Sequence, residues 1–218
     1  QEFKKDLKKE LGVNSICIYN PLNSKEILKK SKENSIKIFK DKKKLNILNI
    51  GRMTDQKDQI TLLKALNEIK DKIDFNAVII GRGILKDYLN KYIKRKNLIK
   101  NIKIFNFVEN PFPLIKQADL FVLTSKFEGL PNVLLESLSL KKFIISSNCP
   151  TGPKEILLNG KGGLLFEVGN YTQLAKKILF YQKNKNRSKK MINLAIKKIH
   201  RFDFKKNLDE YSKLINSV

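Results

Sequence analysis

Between residues 45 and 168, short apolar runs alternate with segments whose apolar positions recur every three or four residues. The runs are Leu45–Ile50, Phe75–Ile80, Ile102–Val108, Leu120–Thr124, Phe143–Ser147 and Gly163–Val168. They are rich in β-branched and aromatic residues and almost continuously apolar, the pattern of parallel strands covered on both faces. Between them, Asp58–Ile69 sets Ile60, Leu63, Leu66 and Ile69 on one helical face, and Leu85–Ile93 does the same with Leu85, Leu89 and Ile93. Pro111–Ala118 predicts a short helix. Leu130–Leu140 predicts a helix apolar almost all round, with Pro131 suited to its first turn. After Gly169 the pattern is helical only, over Tyr171–Gln182, Arg187–Ile199 and Phe204–Ile215. Before residue 45, Ile16–Tyr19 reads as a strand stopped by Asn20-Pro21, with Lys-rich connectors on both sides.

Strands alternating with helices over short loops imply right-handed βαβ units. The fold class is therefore α/β: a Rossmann-like, doubly wound parallel sheet of about six strands flanked by helices. The chain divides into 1–44, a polar lead-in; 45–185, the α/β domain; and 186–218, the terminal helices. In such sheets ligands bind outside the carboxyl ends of the strands. Any chemistry should lie on the loops after Ile50, Ile80, Phe107, Thr124 and Ser147.

Composition narrows the function without deciding it. The 218 residues are 41% hydrophobic, enough for an ordered core, and no apolar run approaches the ~20 residues that span a bilayer. The formal charge is +24, from 45 basic and 21 acidic residues. Forty of those cations are Lys and only five are Arg, and they are spread along the chain. A nucleic-acid binder concentrates its charge and favours the bidentate fork of Arg, so the lysines read as a solvated coat with a weak pull towards anionic lipid headgroups. Cys17 and Cys149 are too few for a disulfide framework. His200 is the sole histidine, which excludes a multi-histidine metal site, and it reads as a surface or packing residue.

The predicted βα loops carry a more specific signal. The first holds Gly51-Arg52, with Lys57 at the opening of the next helix; the second holds Gly81-Arg82-Gly83. The fourth runs from Glu128-Gly129-Leu130-Pro131-Asn132-Val133 to Glu136. Arg52 and Lys57, five residues apart across a strand–helix turn, could reach one diphosphate, Arg with paired hydrogen bonds and Lys with a compact charge. The helix beginning near Leu130 has free N–H groups and a positive dipole end. Gly129 allows close approach of a ligand to the backbone. Glu136, about two turns into that helix, is placed to accept hydrogen bonds from paired hydroxyls, and Glu128 to touch the polar end of a ligand. Each feature alone is ordinary: a surface Arg, a glycine turn, two surface glutamates. Glu136 is the least ordinary, because it sits among Val133, Leu134, Leu135 and Leu138 and a buried carboxylate needs a partner. In order on successive loops, they make a site.

That order resembles a known family. Ile50-Gly51-Arg52 with Lys57, Val78-Ile79-Ile80-Gly81-Arg82-Gly83, Phe105-Asn106-Phe107-Val108, Ala118-Asp119-Leu120-Phe121-Val122 and Glu128 through Glu136 resemble the donor-binding half of the family-4 retaining glycosyltransferases, two-domain enzymes of the GT-B fold. The two glutamates match their E-x7-E motif. Asn148-Cys149-Pro150-Thr151-Gly152-Pro153-Lys154-Glu155-Ile156 is similar to a segment of members that build surface or lipid-linked glycans. The resemblance implies that Gly51, Arg52 and Lys57 hold the diphosphate of a nucleotide-sugar and that Val108 contacts the base through its backbone. It implies that Glu136 binds the ribose, that Glu128 meets the donor sugar or diphosphate, and that the backbone from Gly129 through Leu130, Pro131, Asn132 and Val133 helps hold the phosphates. Glu128, Arg52 and Lys57 would carry the catalytic role. No cofactor and no metal are expected; the nucleotide-sugar is a substrate.

The expected donor is a UDP-hexose or UDP-N-acetylhexosamine. The expected acceptor is a glycan or lipid-linked glycan, in surface polysaccharide or glycoconjugate synthesis. The expected location is cytoplasmic, with peripheral contact to an anionic membrane and no nucleic-acid partner. The family's acceptor domain precedes this region, so 1–44 is expected to be the tail of that domain and its linker. The last helix is expected to cross back to it, and the chain alone is expected to bind donor without transferring sugar. The alternative reading keeps the fold and discards the transfer: a basic module that binds anionic lipid or nucleic acid through its lysines.

Overall fold

The computed structural model describes residues 2–216. Two helices, α1 (Glu2–Leu11) and α2 (Ser24–Lys30), precede the sheet. The alternating region then runs β1 (Leu45–Ile50), α3 (Gln59–Ile69), β2 (Phe75–Ile80), α4 (Lys86–Arg95), β3 (Ile102–Phe105), α5 (Phe112–Gln117) and β4 (Leu120–Leu123). It continues with α6 (Asn132–Ser139), β5 (Phe143–Ser147), α7 (Pro153–Ile156) and β6 (Leu164–Phe166), and closes with α8 (Tyr171–Lys183), α9 (Lys185–Lys197) and α10 (Phe204–Ile215).

All six strands are parallel, in the order β3-β2-β1-β4-β5-β6. The doubly wound sheet read from the apolar runs is the one observed. The strand order reverses between β1 and β4, which opens the crevice where ligands enter such sheets. Ile47, Leu48, Ile79, Leu120, Phe121, Val122, Ile144 and Ile145 have essentially no solvent contact, so the central strands are covered on both faces. Helices α3 and α8 pack on each other, and α9 packs on α6 and β5.

Several boundaries move for physical reasons. The third strand ends at Phe105, not Val108, because the chain turns outward and exposes Phe107. The helix predicted from Leu130 begins at Asn132: Pro131 is extended (φ −72°, ψ 100°) and acts as the N-cap, and a residue that precedes proline is driven out of the helical region. The Asp58 helix begins at Gln59, behind a 3-10 turn over Asp55–Lys57 and a left-handed Asp58 (φ 46°, ψ 47°).

Ile16–Tyr19 forms no strand. Its neighbour is not a ladder but α10 and the turn before it: the Tyr19 amide donates to Asn207 Oδ1 at 3.2 Å, and its ring meets Phe202 edge-on at 4.8 Å. Helices α1, α2 and α7 lie outside the elements predicted from the sequence, although Phe3, Leu7 and Leu11 of α1 recur every four residues. In α2, Asn23 accepts from the Glu26 amide as an N-cap.

Candidate functional site

The loops after β1 and β2 run side by side past the sheet's carboxyl edge. Gly51 N donates to Ile80 O (3.0 Å), Met53 N to Arg82 O (2.9 Å), and Leu85 N to Met53 O (3.1 Å). This closeness needs glycine. A Cβ on Gly81 would fall on the Gly51 carbonyl, and one on Gly83 on the Met53 carbonyl, far inside contact distance. The Gly81-Arg82-Gly83 turn therefore fixes two loops against each other and holds Arg52 at the rim.

Beyond these loops lies a cavity of about 550 Å³. Gly51 and Arg52 line it from β1, Gly81 and Arg82 from β2, Phe107, Val108 and Phe112 from the segment after β3, and Glu136 from α6. Three of the predicted loops and the predicted helix thus meet at one space. Glu136 lies one turn into α6, not two, because the helix starts later than the periodicity suggested. Burial holds its carboxyl above the usual carboxylate range. Among the described residues it takes no hydrogen bond and forms no ion pair, and it lines the cavity.

Lys57 and Glu128 pair with each other. Lys57 Nζ lies 2.5 Å from Glu128 Oε1, with side chains 18% and 9% exposed. The same carboxylate accepts from Ser125 Oγ at 2.6 Å. The loop that carries Glu128 is clamped on both sides. Lys126 N donates to Gln56 O (2.8 Å), Gln56 Nε2 to Phe127 O (3.1 Å), Thr124 Oγ1 to Lys57 O (2.8 Å), and Thr151 Oγ1 to Glu128 O. A Cβ on Gly152 (φ +76°) would meet the Gly129 carbonyl and Pro131 Cδ, so Gly152 packs directly beneath the loop.

Arg52 is exposed; among the described residues its side chain makes one long contact, from Nη2 to Gln56 Oε1 (3.4 Å), and its carbonyl accepts from Gln59 Nε2 (2.9 Å). The stem of Lys57 packs where a Cβ on Gly51 would point, at 3.5–3.7 Å. Gly129 faces open space: nothing lies within 4 Å of where its Cβ would be. Leu130 packs against the core, Pro131 caps α6, and Asn132 and Val133 open it with no side-chain cap, so the first amides of the helix are left without intrahelical partners.

Arg52, Glu136, Val108 and Gly51 therefore share the cavity, while Lys57 and Glu128 form an ion pair beside it. Arg82, Phe107, Ser125, Gln56 and Thr151 complete the surroundings. Sequence reasoning assigned them no role, because their partners lie on other loops. Cys149 is buried, and burial raises its thiol above the usual range. Among the described residues, no three His, Cys, Asp or Glu side chains gather where a metal ion could be held, and no helix is long and apolar enough to cross a membrane.

Residues 30–198 match the family model described as "Glycosyl transferases group 1". An uncharacterized glycosyltransferase of Methanocaldococcus jannaschii is 40% identical over 135 residues, which cover 62% of this chain and 32% of that protein. A Campylobacter jejuni N-acetylgalactosamine-N,N'-diacetylbacillosaminyl-diphospho-undecaprenol 4-alpha-N-acetylgalactosaminyltransferase is 33% identical over 153 residues, 70% of this chain and 40% of that one. The chain thus spans about a third to two fifths of these relatives. Among solved structures, a Staphylococcus aureus TarM mutant in complex with fondaparinux, alpha-GlcNAc-glycerol and UDP superposes with a TM-score of 0.82 at 24% identity, over 98% of this chain and 42% of that chain. That likeness places the sheet among GT-B glycosyltransferase folds.

Proposed function

The chain belongs to the group 1 glycosyl transferases, and from that premise we propose that it is the donor-binding half of a retaining, family-4 type enzyme that moves a sugar from a nucleoside diphosphate to a glycan or lipid-linked acceptor. One observation carries the reading. Glu136 is a half-buried carboxylate with no hydrogen-bond or ion-pair partner among the described residues, and it lines a cavity whose rim holds Arg52. A carboxylate so placed is satisfied by ligand hydroxyls, and an arginine so placed by phosphate oxygens.

In this reading the ribose hydroxyls donate to Glu136 and the backbone at Val108 meets the base. Arg52, the Lys57 ammonium and the opening amides of α6 surround the diphosphate. Transfer breaks the bond between the anomeric carbon and the diphosphate oxygen, forms one to the acceptor hydroxyl oxygen, and releases the acceptor proton. Negative charge gathers on the departing diphosphate. Two cations and a helix N-terminus around it lower the barrier by electrostatics already in place before reaction. Glu128 fixes the Lys57 ammonium and faces the sugar side of the site. UDP is the proposed nucleotide product, supported by its presence in the complex of the similar TarM structure. The proposed setting is surface-glycan synthesis on the cytoplasmic face of a membrane, in line with the diphospho-undecaprenol substrate named for the Campylobacter relative.

Calorimetry with UDP tests the reading. Arg52→Ala should weaken binding by about 1.5–3 kcal/mol, the scale of a charged hydrogen bond. Unchanged affinity would remove the diphosphate from this rim.

A further inference from the structure

Arg82 lies at the outer end of the cavity, one strand beyond Arg52. Its backbone is pinned: the carbonyl accepts from Met53 N at 2.9 Å, and the flanking Gly81 and Gly83 press against the β1 loop. Its guanidinium carbon sits 5.4 Å from the centroid of the Phe107 ring, and Phe107 is 63% exposed. Among the described residues Arg82 forms no ion pair and no side-chain hydrogen bond. An exposed aromatic ring and an unpaired guanidinium thus lie together at the mouth of a cavity whose neighbouring walls are Ile80, Val108 and Phe112.

This end suits a flat, uncharged ring better than a phosphate. Ile80, Val108 and Phe112 make its walls apolar, and Glu109 lies in the same lining. Glu136 and Phe107 line the same cavity, and a nucleoside's base is bonded directly to its ribose, so one ligand can meet both.

We propose that Arg82 stacks the plane of its guanidinium on the donor's nucleobase, with Phe107 as the positioning residue that holds the guanidinium flat from behind. The assignment rests on the donor-site reading above. It gives the base a side-chain contact in addition to the backbone near Val108, and makes Arg82 a determinant of nucleotide affinity that acts through its planarity rather than its charge.

The test uses the full chain in calorimetry with two ligands: UDP and 1-O-methylribose 5-diphosphate, which lacks only the base. Arg82→Ala should weaken UDP binding about tenfold, the lower part of the range for base stacking, and leave the abasic ligand unchanged. Arg82→Lys should behave like Arg82→Ala, because it keeps the charge and loses the plane. Phe107→Ala should weaken UDP alone. Equal loss for both ligands, with recovery in Arg82→Lys, would mean a phosphate contact and overturn the assignment. Unchanged UDP affinity in Arg82→Ala, with Arg52→Ala weakened, would overturn it while leaving the donor site standing. Failure of the unaltered chain to bind either ligand would overturn both.

Discussion

Glu128→Gln separates stability from ligand binding at the ion pair beside the cavity. The substitution keeps the shape and one acceptor oxygen but removes the charge that faces Lys57 Nζ at 2.5 Å. Both side chains are mostly shielded, at 18% and 9% exposure, so solvent screens the pair little. Removing one partner of a fully buried pair costs about 3–5 kcal/mol. Here an amide oxygen at the Oε1 position remains to accept from both Lys57 Nζ and Ser125 Oγ. A charged hydrogen bond is reduced to a neutral acceptor, and the expected loss is about 2 kcal/mol. For a chain of this length that lowers Tm by about 4–8 °C.

Ligand binding should move the opposite way. With Glu128 neutral, Lys57 no longer divides its charge between a carboxylate and a diphosphate, so UDP should bind as well or more tightly. Thermal unfolding followed by circular dichroism gives the first quantity and calorimetry the second. A double-mutant cycle with Lys57→Met isolates the pairwise coupling. A Tm within about 1 °C of the unaltered chain, or a coupling near zero, would refute the claim that the pair holds this loop. A fall in UDP affinity would refute the division of charge.

Further outcomes follow from three neighbouring residues. Ribose hydroxyls favour the ionised form of Glu136, whose folded pKa is raised by burial; affinity for a UDP-sugar should be full above that pKa and fall as pH drops through it, and Glu136→Gln should bind weakly and lose this dependence. Without ligand the sign reverses: a raised carboxylate pKa means stability present at low pH and lost as pH rises through it, so Glu136→Gln should be relatively more stable at neutral pH in chemical denaturation. Gly81→Ala forces a Cβ onto the Gly51 carbonyl and should cost about 1–3 kcal/mol as an overpacking change, whereas Gly129→Ala meets nothing in the protein and should leave Tm unchanged while weakening UDP binding.

The sheet was legible in the sequence because burial on both faces writes each strand as an unbroken apolar run. Phe121 and Ile145 lie inside such runs, Leu120–Thr124 and Phe143–Ser147. Boundaries were less legible where one residue outweighs periodicity. Pro131 delays α6 by about two residues, which moves Glu136 from about two turns into the helix to about one. Ile16–Tyr19 has the composition of a strand but lies beside Asn207 and Phe202, which offer no free ladder. Of the site, residues on successive βα loops could be placed in advance, because topology alone brings the carboxyl ends of parallel strands together. Contacts between loops could not. Lys57 and Glu128 lie 71 residues apart, and nothing in either local pattern shows that they pair. Arg82 and Phe107 are hidden in the same way, on the ends of two different strands.

The central claim is that a nucleoside diphosphate occupies the cavity at the carboxyl edge of β1, β2 and β4. A crystal structure of the chain with UDP tests it most directly. The account predicts the ribose hydroxyls within hydrogen-bond distance of the Glu136 carboxylate and the diphosphate between Arg52 and the first amides of α6. UDP bound elsewhere on the lysine-rich surface, with Glu136 still without a partner, would contradict it.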